Sequence, residues 1–232
     1  MPERSPIPWE NVGPQFKKPL KQAAILVDLH RCTGCHACSV SCKTEHEVPL
    51  GDFRMRVRYL ERPAPQESQL AFVPMLCMHC QDAPCMKACP TSAIGRLDDG
   101  RVVIDEDKCC GNKACITACP YGAIFINDDT RKAEKCDLCT HRTEVGLDPA
   151  CVSSCPTEAL KFHDLGDESD EVTAMAKKQN AKAWKEDAET FPSVLYVNHE
   201  KWMEDKVNVG VQISERDEDP IYEQDNFDKK GS

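Results

Sequence analysis

"CTGCHACSVSC", residues 32–42, spaces four cysteines as C-x2-C-x2-C-x3-C. Three further groups end on the same C-x3-C. "CMHCQDAPCMKAC" supplies Cys77, Cys80, Cys85 and Cys89, and "CCGNKACITAC" supplies Cys109, Cys110, Cys115 and Cys119. "CDLC" and "CVSSC" supply Cys136, Cys139, Cys151 and Cys155. With Cys32, Cys35, Cys38 and Cys42, these four quartets hold all sixteen cysteines of the 232-residue chain. Proline follows the closing cysteine in three of them, as Pro90, Pro120 and Pro156, and Lys43 takes that place in the first.

Three chemistries use thiols in such numbers. Disulfides suit a secreted scaffold, but these cysteines cluster too tightly for that. The opening MPERSPIPWENVGPQF also has no apolar stretch of signal-peptide type. Zinc sites use C-x2-C pairs, normally two pairs set apart by a longer loop. Three cysteines within seven residues, closed by a fourth after three more, match the bacterial ferredoxin run instead. In that run three cysteines hold one iron–sulfur cluster and the fourth ligates a different one. A tight loop wraps the cluster and turns backbone N–H groups toward its sulfides. Gly34 and Gly111 stand where such loops turn hardest. The fourth cysteine is expected to open a short helix, with Pro in its first turn.

The stretches after the Cys-Pro pairs repeat. CPTSAIGRLDDGRVVIDEDKC, CPYGAIFINDDTRKAEKC and CPTEALKFHD each predict a small turn and then a short strand. A hairpin is expected from 94–97 to 102–105 across Asp98-Asp99-Gly100. AAILVDL, 23–29, reads as a strand leading into the first quartet. The predicted fold class is α+β: two ferredoxin-like bis-cluster modules of short βαβ repeats, with inserted loops and a C-terminal extension. Residues 73–128 form the inner module. Residues 24–72 with 129–163 form the outer one. Residues 164–232 are the extension and acidic tail. Segments 43–76 and 140–150 are the insertions, and 61–69 reads as a loop. Residues 169–189 read as a polar helix packing through Ala174, Met175, Ala181 and Trp184, and 193–202 begins as a strand.

Exchange of fourth ligands predicts four sets. Cys77, Cys80 and Cys85 take Cys119; the third quartet's cluster takes Cys89. If the flanking quartets are partners, Cys32, Cys35 and Cys38 take Cys155, and Cys136, Cys139 and Cys151 take Cys42. The third quartet departs from the pattern. Asn112 occupies the strict position between Cys109 and Cys115, and Cys110 sits two residues early. Three outcomes stay open: a [3Fe–4S] cluster, a [4Fe–4S] cluster completed by Cys110, Asn112 or water, and an empty site. The expected cofactors are therefore three [4Fe–4S] clusters and a fourth of either type. A lost thiolate removes negative charge and raises the potential of that centre.

Net charge is −10, which argues against a nucleic-acid surface. Residues 215–228 carry seven acids against one Arg and read as a solvated tail. No segment approaches the ~18 uninterrupted apolar residues of a membrane span. There is no Gly-rich nucleotide loop, and the seven histidines show no regular metal spacing. His36 and His79 lie within cluster loops, where they are candidates for tuning a potential. Four clusters in one chain read as a wire rather than a catalyst, and a wire needs a partner at each end. The insertions and the extension are candidate contact surfaces.

The quartets resemble those of the iron–sulfur beta subunits of the molybdopterin oxidoreductase (DMSO reductase) superfamily. VDLHRCTGCHACSVSCKTEHEVPLGDFR is similar to the opening of polysulfide, thiosulfate, tetrathionate or sulfite-oxidising members. LCMHCQDAPCMKACPTSAI, ACITACPYGAI and KAEKCDLCTHR…PACVSSCPTEAL are similar to the later motifs, and the resemblance spans 24–163. It implies four clusters. They would link a large molybdenum or tungsten pterin catalytic subunit to a membrane quinone-reactive subunit or a soluble carrier. The set Cys32, Cys35, Cys38 and Cys155 would lie nearest the pterin. Some members carry Trp where Asn112 stands and hold [3Fe–4S]; others keep four cubanes. The chain would sit peripherally on a membrane within a complex, with no signal peptide of its own and the cytoplasmic or periplasmic side open. A stand-alone polyferredoxin carrier and a metal-stapled structural or assembly protein are the alternatives.

Because the outer sets join residues more than 100 apart, metal binding is expected to be coupled to folding. Chain stripped of iron should be largely unfolded or aggregated by circular dichroism and size-exclusion chromatography; a native-like spectrum without iron would contradict the coupling.

Overall fold

The computed structural model describes residues 20–62 and 69–204. The acidic tail, the opening sixteen residues and most of the expected 61–69 loop lie outside them. In chain order the strands are β1 (Ala23–Asp28), β2 (Arg56–Arg62), β3 (Gln69–Met75), β4 (Ile94–Arg96), β5 (Val102–Ile104), β6 (Phe125–Ile126), β7 (Ala133–Glu134), β8 (Leu160–Asp164), β9 (Lys182–Ala183) and β10 (Val194–Val197). The helices are α1 (Ala37–Glu45), α2 (Pro84–Ala88), α3 (Ala114–Ala118), α4 (Thr140–Thr143), α5 (Ala150–Ser153) and α6 (Glu171–Lys178). Helix and strand are mixed throughout, as an α+β class requires.

β1 is apolar almost end to end because it is interior to its sheet, which runs β8-β1-β10-β9. It pairs antiparallel with β8, Ile25 opposite Phe162, and parallel with β10, Ile25 opposite Val194. The C-terminal segment is thus built into the same sheet as the strand that leads into the first quartet. It also laces the second quartet's loop. Gln81 N–H donates to Phe191 O at 2.9 Å, Asp82 N–H to Thr190 O at 3.0 Å, and Ser193 N–H to Met78 O at 2.8 Å.

The insertion at 43–76 is largely a paired ribbon. β2 and β3 run antiparallel from Arg56 opposite Met75 to Arg62 opposite Gln69, so 61, 62 and 69 are strand rather than loop. Val57, Leu60, Ala71 and Val73 turn inward. Tyr196 of β10 is fully buried and its hydroxyl donates to Pro74 O at 2.9 Å, fastening ribbon to sheet. Trp184 packs beside it with ring centroids 5.4 Å apart.

The expected β4–β5 hairpin forms, with Ile94 opposite Ile104. The predicted helix over 169–189 is shorter: α6 ends at Lys178. Asp170 caps its start by accepting from Val172 N–H and Thr173 N–H. Asn180, at φ 50, ends it. Asn180 N–H reaches Lys177 O and Ala181 N–H reaches Ala176 O, a Schellman closure. The buried face is Thr173 and Ala176, while Ala174 and Met175 point outward. Trp184 is buried as expected, but from the segment beyond the helix.

α1 packs on α5 and α2 on α3. The fourth cysteines end short helices instead of opening them. Cys89 and Cys119 are the C-caps of α2 and α3, with extended ψ of 111 and 113. The reason is the following proline, which disfavours helical backbone in the residue before it. Lys43 imposes no such stop, and α1 runs through Cys42 to Glu45.

Trp184 is 1% exposed, so Trp184→Ala should cost about 3–5 kcal/mol. Denaturant unfolding of the iron-loaded chain would show it as an earlier midpoint; an unmoved midpoint would mean that the β9–β10 region adds little to stability.

Candidate functional site

All sixteen cysteines are free thiols, Cys35 and Cys110 exposed and the others at least half-buried. They gather in four places, and mutual repulsion reports which thiols meet. Burial pushes Cys38 up to about 12, and the nearby Cys32 and Cys155 thiolates add to the rise. Burial also raises Cys32, with Cys155 and Cys35 beside it. In the next place burial takes Cys42 to about 12, with Cys139 as its nearest charged neighbour. Burial raises Cys151 and Cys136 further, each with Cys42 as its first charged neighbour. In the third place burial takes Cys85 to about 12 and Cys80 to about 11, with Cys77 and Cys119 adding to both. In the last, burial raises Cys115, flanked by Cys109 and Cys89. The thiols brought together are those the exchanged pattern predicts.

The short helices explain the grouping. Cys38 and Cys42 lie on α1, Cys85 and Cys89 on and after α2, Cys115 and Cys119 on and after α3, and Cys151 and Cys155 on and after α5. A spacing of four puts two side chains on one helix face, a turn apart. Each helix therefore hands one thiol to each of two neighbouring places. The α1–α5 pair serves two of the places and the α2–α3 pair serves the other two. Cys136 also lies near Cys77, which joins the two pairs of places.

Backbone N–H groups point at the sulfurs. Ala93 N–H donates to Cys89 Sγ and Ala159 N–H to Cys155 Sγ, both at 3.3 Å. Ala133 N–H reaches Cys109 Sγ and Leu138 N–H reaches Cys136 Sγ, both at 3.4 Å. Burial works to raise Cys89 and Cys155, but the hydroxyls of Thr91 and Thr157 and these N–H groups outweigh it and hold both below the ordinary thiol value. Thiols gathered in threes and fours, unpaired as disulfides and supplied with N–H donors, fit iron–sulfur clusters. The bound metal removes the repulsion that burial imposes on neighbouring thiolates.

The third quartet frames a cavity of about 300 Å³ lined by Cys89, Cys109, Cys110, Asn112 and Cys115. Asn112 Oδ1 accepts Ala114 N–H at 3.1 Å. Gly111 sits at φ 67, and a Cβ there would lie 2.4 Å from Arg131 O. Gly34, at φ 69, is likewise pressed by the Phe72 ring. The hardest turns are where the sequence places them.

Several residues around the thiols carry no sequence signal of their own. Tyr59 on β2 donates to Gly34 O at 2.7 Å and meets His36 Nε2 at 2.6 Å, so the ribbon clamps the first loop and His36 is occupied by Tyr59. His79 is fully buried and accepts Val102 N–H at Nδ1, 3.0 Å away. His46 is not among the expected tuning residues, yet its Nε2 lies 3.2 Å from Cys139 Sγ. Its place four residues after Cys42, at the end of the same helix, is the signal that could have found it. Burial lowers its proton affinity, against the pull of Asp137.

The 4Fe-4S dicluster domain family matches residues 68–165. An electron-relay relative, a tetrathionate reductase subunit of Salmonella typhimurium, is 40% identical over 183 residues, covering 77% of this chain and 73% of that one. A putative dimethyl sulfoxide reductase iron-sulfur subunit of Halobacterium salinarum is 35% identical, covering 76% and 79%. The arsenate respiratory reductase iron-sulfur subunit of a Shewanella species is 32% identical over 222 residues, covering 75% and 94%.

Gly111→Ala should strain its loop by about 1–3 kcal/mol and lower iron and acid-labile sulfide per chain. Gly95→Ala, where an added methyl meets nothing within 4 Å, should leave both unchanged. Equal metal content in the two variants would show that the Arg131 carbonyl yields.

Proposed function

The chain belongs to the family of iron–sulfur electron-transfer subunits of the molybdopterin oxidoreductases, and on that premise we propose that it relays electrons through four clusters in a line. The bound clusters would supply one-electron storage; the chain holds them, spaces them and tunes them. Cys32, Cys35, Cys38 and Cys155 hold the first. Cys42, Cys136, Cys139 and Cys151 hold the next, then Cys77, Cys80, Cys85 and Cys119, and last Cys89, Cys109 and Cys115. The last is [4Fe–4S] when Cys110 or Asn112 completes it and [3Fe–4S] when neither does. The helix pairs support this order, since α1 with α5 and α2 with α3 each lend thiols to both members of a pair.

On this reading the two pairs are the outer and inner ferredoxin-like modules. Residues beyond 164 are a third, C-terminal part that braces them through β9 and β10. One end of the line faces a large molybdenum or tungsten pterin subunit, and the other faces a membrane anchor or a soluble carrier. The first set, with Cys35 exposed, is the end assigned to the pterin partner. Among the described residues no helix is long and apolar enough to cross a membrane. A peripheral place in a membrane-bound complex, on either side, agrees with that.

The observation that carries this reading is the regrouping of thiols far apart in sequence, Cys32 with Cys155 and Cys42 with Cys139, into adjacent sets. Its test is stepwise reduction of the anaerobically purified protein followed by EPR, with iron and sulfide analysis and mass spectrometry of whatever copurifies. Four reducible centres and a several-fold larger subunit are expected. A [3Fe–4S] signal in the oxidised sample would mean that Cys110 and Asn112 stand off the iron. Four centres with no partner would make it a free polyferredoxin, and a colourless, iron-free chain would end the relay altogether.

A further inference from the structure

His46 lies at the end of α1 with its side chain 8% exposed. Arg54 Nη1 donates to His46 Nδ1 at 3.0 Å. A guanidinium has no acceptor, so Nδ1 must be the unprotonated nitrogen and Nε2 must carry the hydrogen. That N–H faces Cys139 Sγ at 3.2 Å. The competing acceptor, Asp137 Oδ1, is farther from Nε2, at 3.6 Å, and already accepts Cys139 N–H at 2.9 Å.

Arg54 is itself held. Its Nη2 donates to Glu134 Oε2 at 3.0 Å, and Asn127 Nδ2 donates to the other Glu134 oxygen at 2.6 Å. The ring of His141 meets His46 edge-on, with centroids 5.4 Å apart, and is tied to Glu45 at 2.8 Å. The groups facing His46 are thus Arg54, Asp137, His141 and Cys139, with Glu45 behind. This is a buried, oriented side-chain donor on a thiol, supported from strands and helices distant in sequence. Its rigidity would serve little purpose for a thiol that only packed.

We infer that His46 sets the potential of the centre held by Cys42, Cys136, Cys139 and Cys151, by donating a hydrogen bond to the Cys139 sulfur. The inference rests on the proposed role of Cys139 as a ligand. A donor to a ligand sulfur draws off negative charge, and it stabilises the reduced state, which carries one more electron, above the oxidised one. The potential rises with the donor present and falls without it. No bond is made or broken, and the hydrogen stays on Nε2.

The test uses the full chain carrying its clusters, titrated with reductant and followed by EPR. His46→Phe keeps an aromatic ring and loses the donor. One midpoint potential should fall, by roughly tenfold in the reduced-to-oxidised ratio at fixed potential, about 59 mV for one electron. The other three should hold. His46→Gln restores an N–H and should recover most of the shift. Unmoved potentials in His46→Phe at full iron content would overturn the inference and leave the relay intact. Wild-type chain lacking iron would instead overturn the relay. Should His46→Phe lose a cluster, the wild-type chain labelled with 15N-histidine decides. A hyperfine coupling that disappears in His46→Gln supports the bond, and no coupling in the wild type overturns it.

Discussion

Burying thiolates side by side is unfavourable, and this chain does it four times. Cys136 and Cys151 are the extreme cases: burial raises each well above an ordinary thiol, and Cys42 beside both raises them further. A thiol left protonated there would be an inert apolar group. A thiolate would repel its neighbours in a medium that screens charge poorly. Iron resolves the conflict by taking the charge, and the N–H groups of Ala93, Ala133, Leu138 and Ala159 share what is left. The rest of the structure exists around that resolution. The loops turn at Gly34 and Gly111, the ribbon presses on the first loop, and residues 190–193 lace the second.

Short helices do the spacing. One turn of helix is about 5.4 Å, so two cysteines four residues apart hold neighbouring sites at a fixed, small separation. The helix needs no length for this. α2 and α3 have five residues each and end at a proline. Where proline is replaced by Lys43, the helix continues, and it is this extension that carries His46 to Cys139. A single departure from the repeat thus changes the surroundings of one site.

Much of this was legible in the sequence because cysteine spacing is a geometric statement. The quartets, the regrouping of Cys32 with Cys155 and of Cys77 with Cys119, the β4–β5 hairpin and the two strained glycines could all be read from residue order. What escaped depends on distant partners. The placement of helices before the Cys-Pro pairs needed the rule for residues preceding proline, applied in place of the one for helix starts. β2 and β3 carry arginines and a proline, which masks a ribbon whose stability comes from pairing along its length. β10 reads as a strand, yet nothing in VLYV says that it lies beside β1. His46 looks like any polar residue at a helix end until Arg54, eight residues on, fixes its ring.

The sheet order β8-β1-β10-β9 also bears on how the molecule is made. β1 emerges first from the ribosome, but both strands that flank it come from beyond residue 159. During synthesis the N-terminal strand therefore waits, unpaired and apolar, for nearly the whole described chain. The loops between 77 and 119 face a much shorter wait, since their cysteines lie within 43 residues of one another. Translation presents the middle of this protein as something that can close by itself, and its beginning as something that only the end can finish.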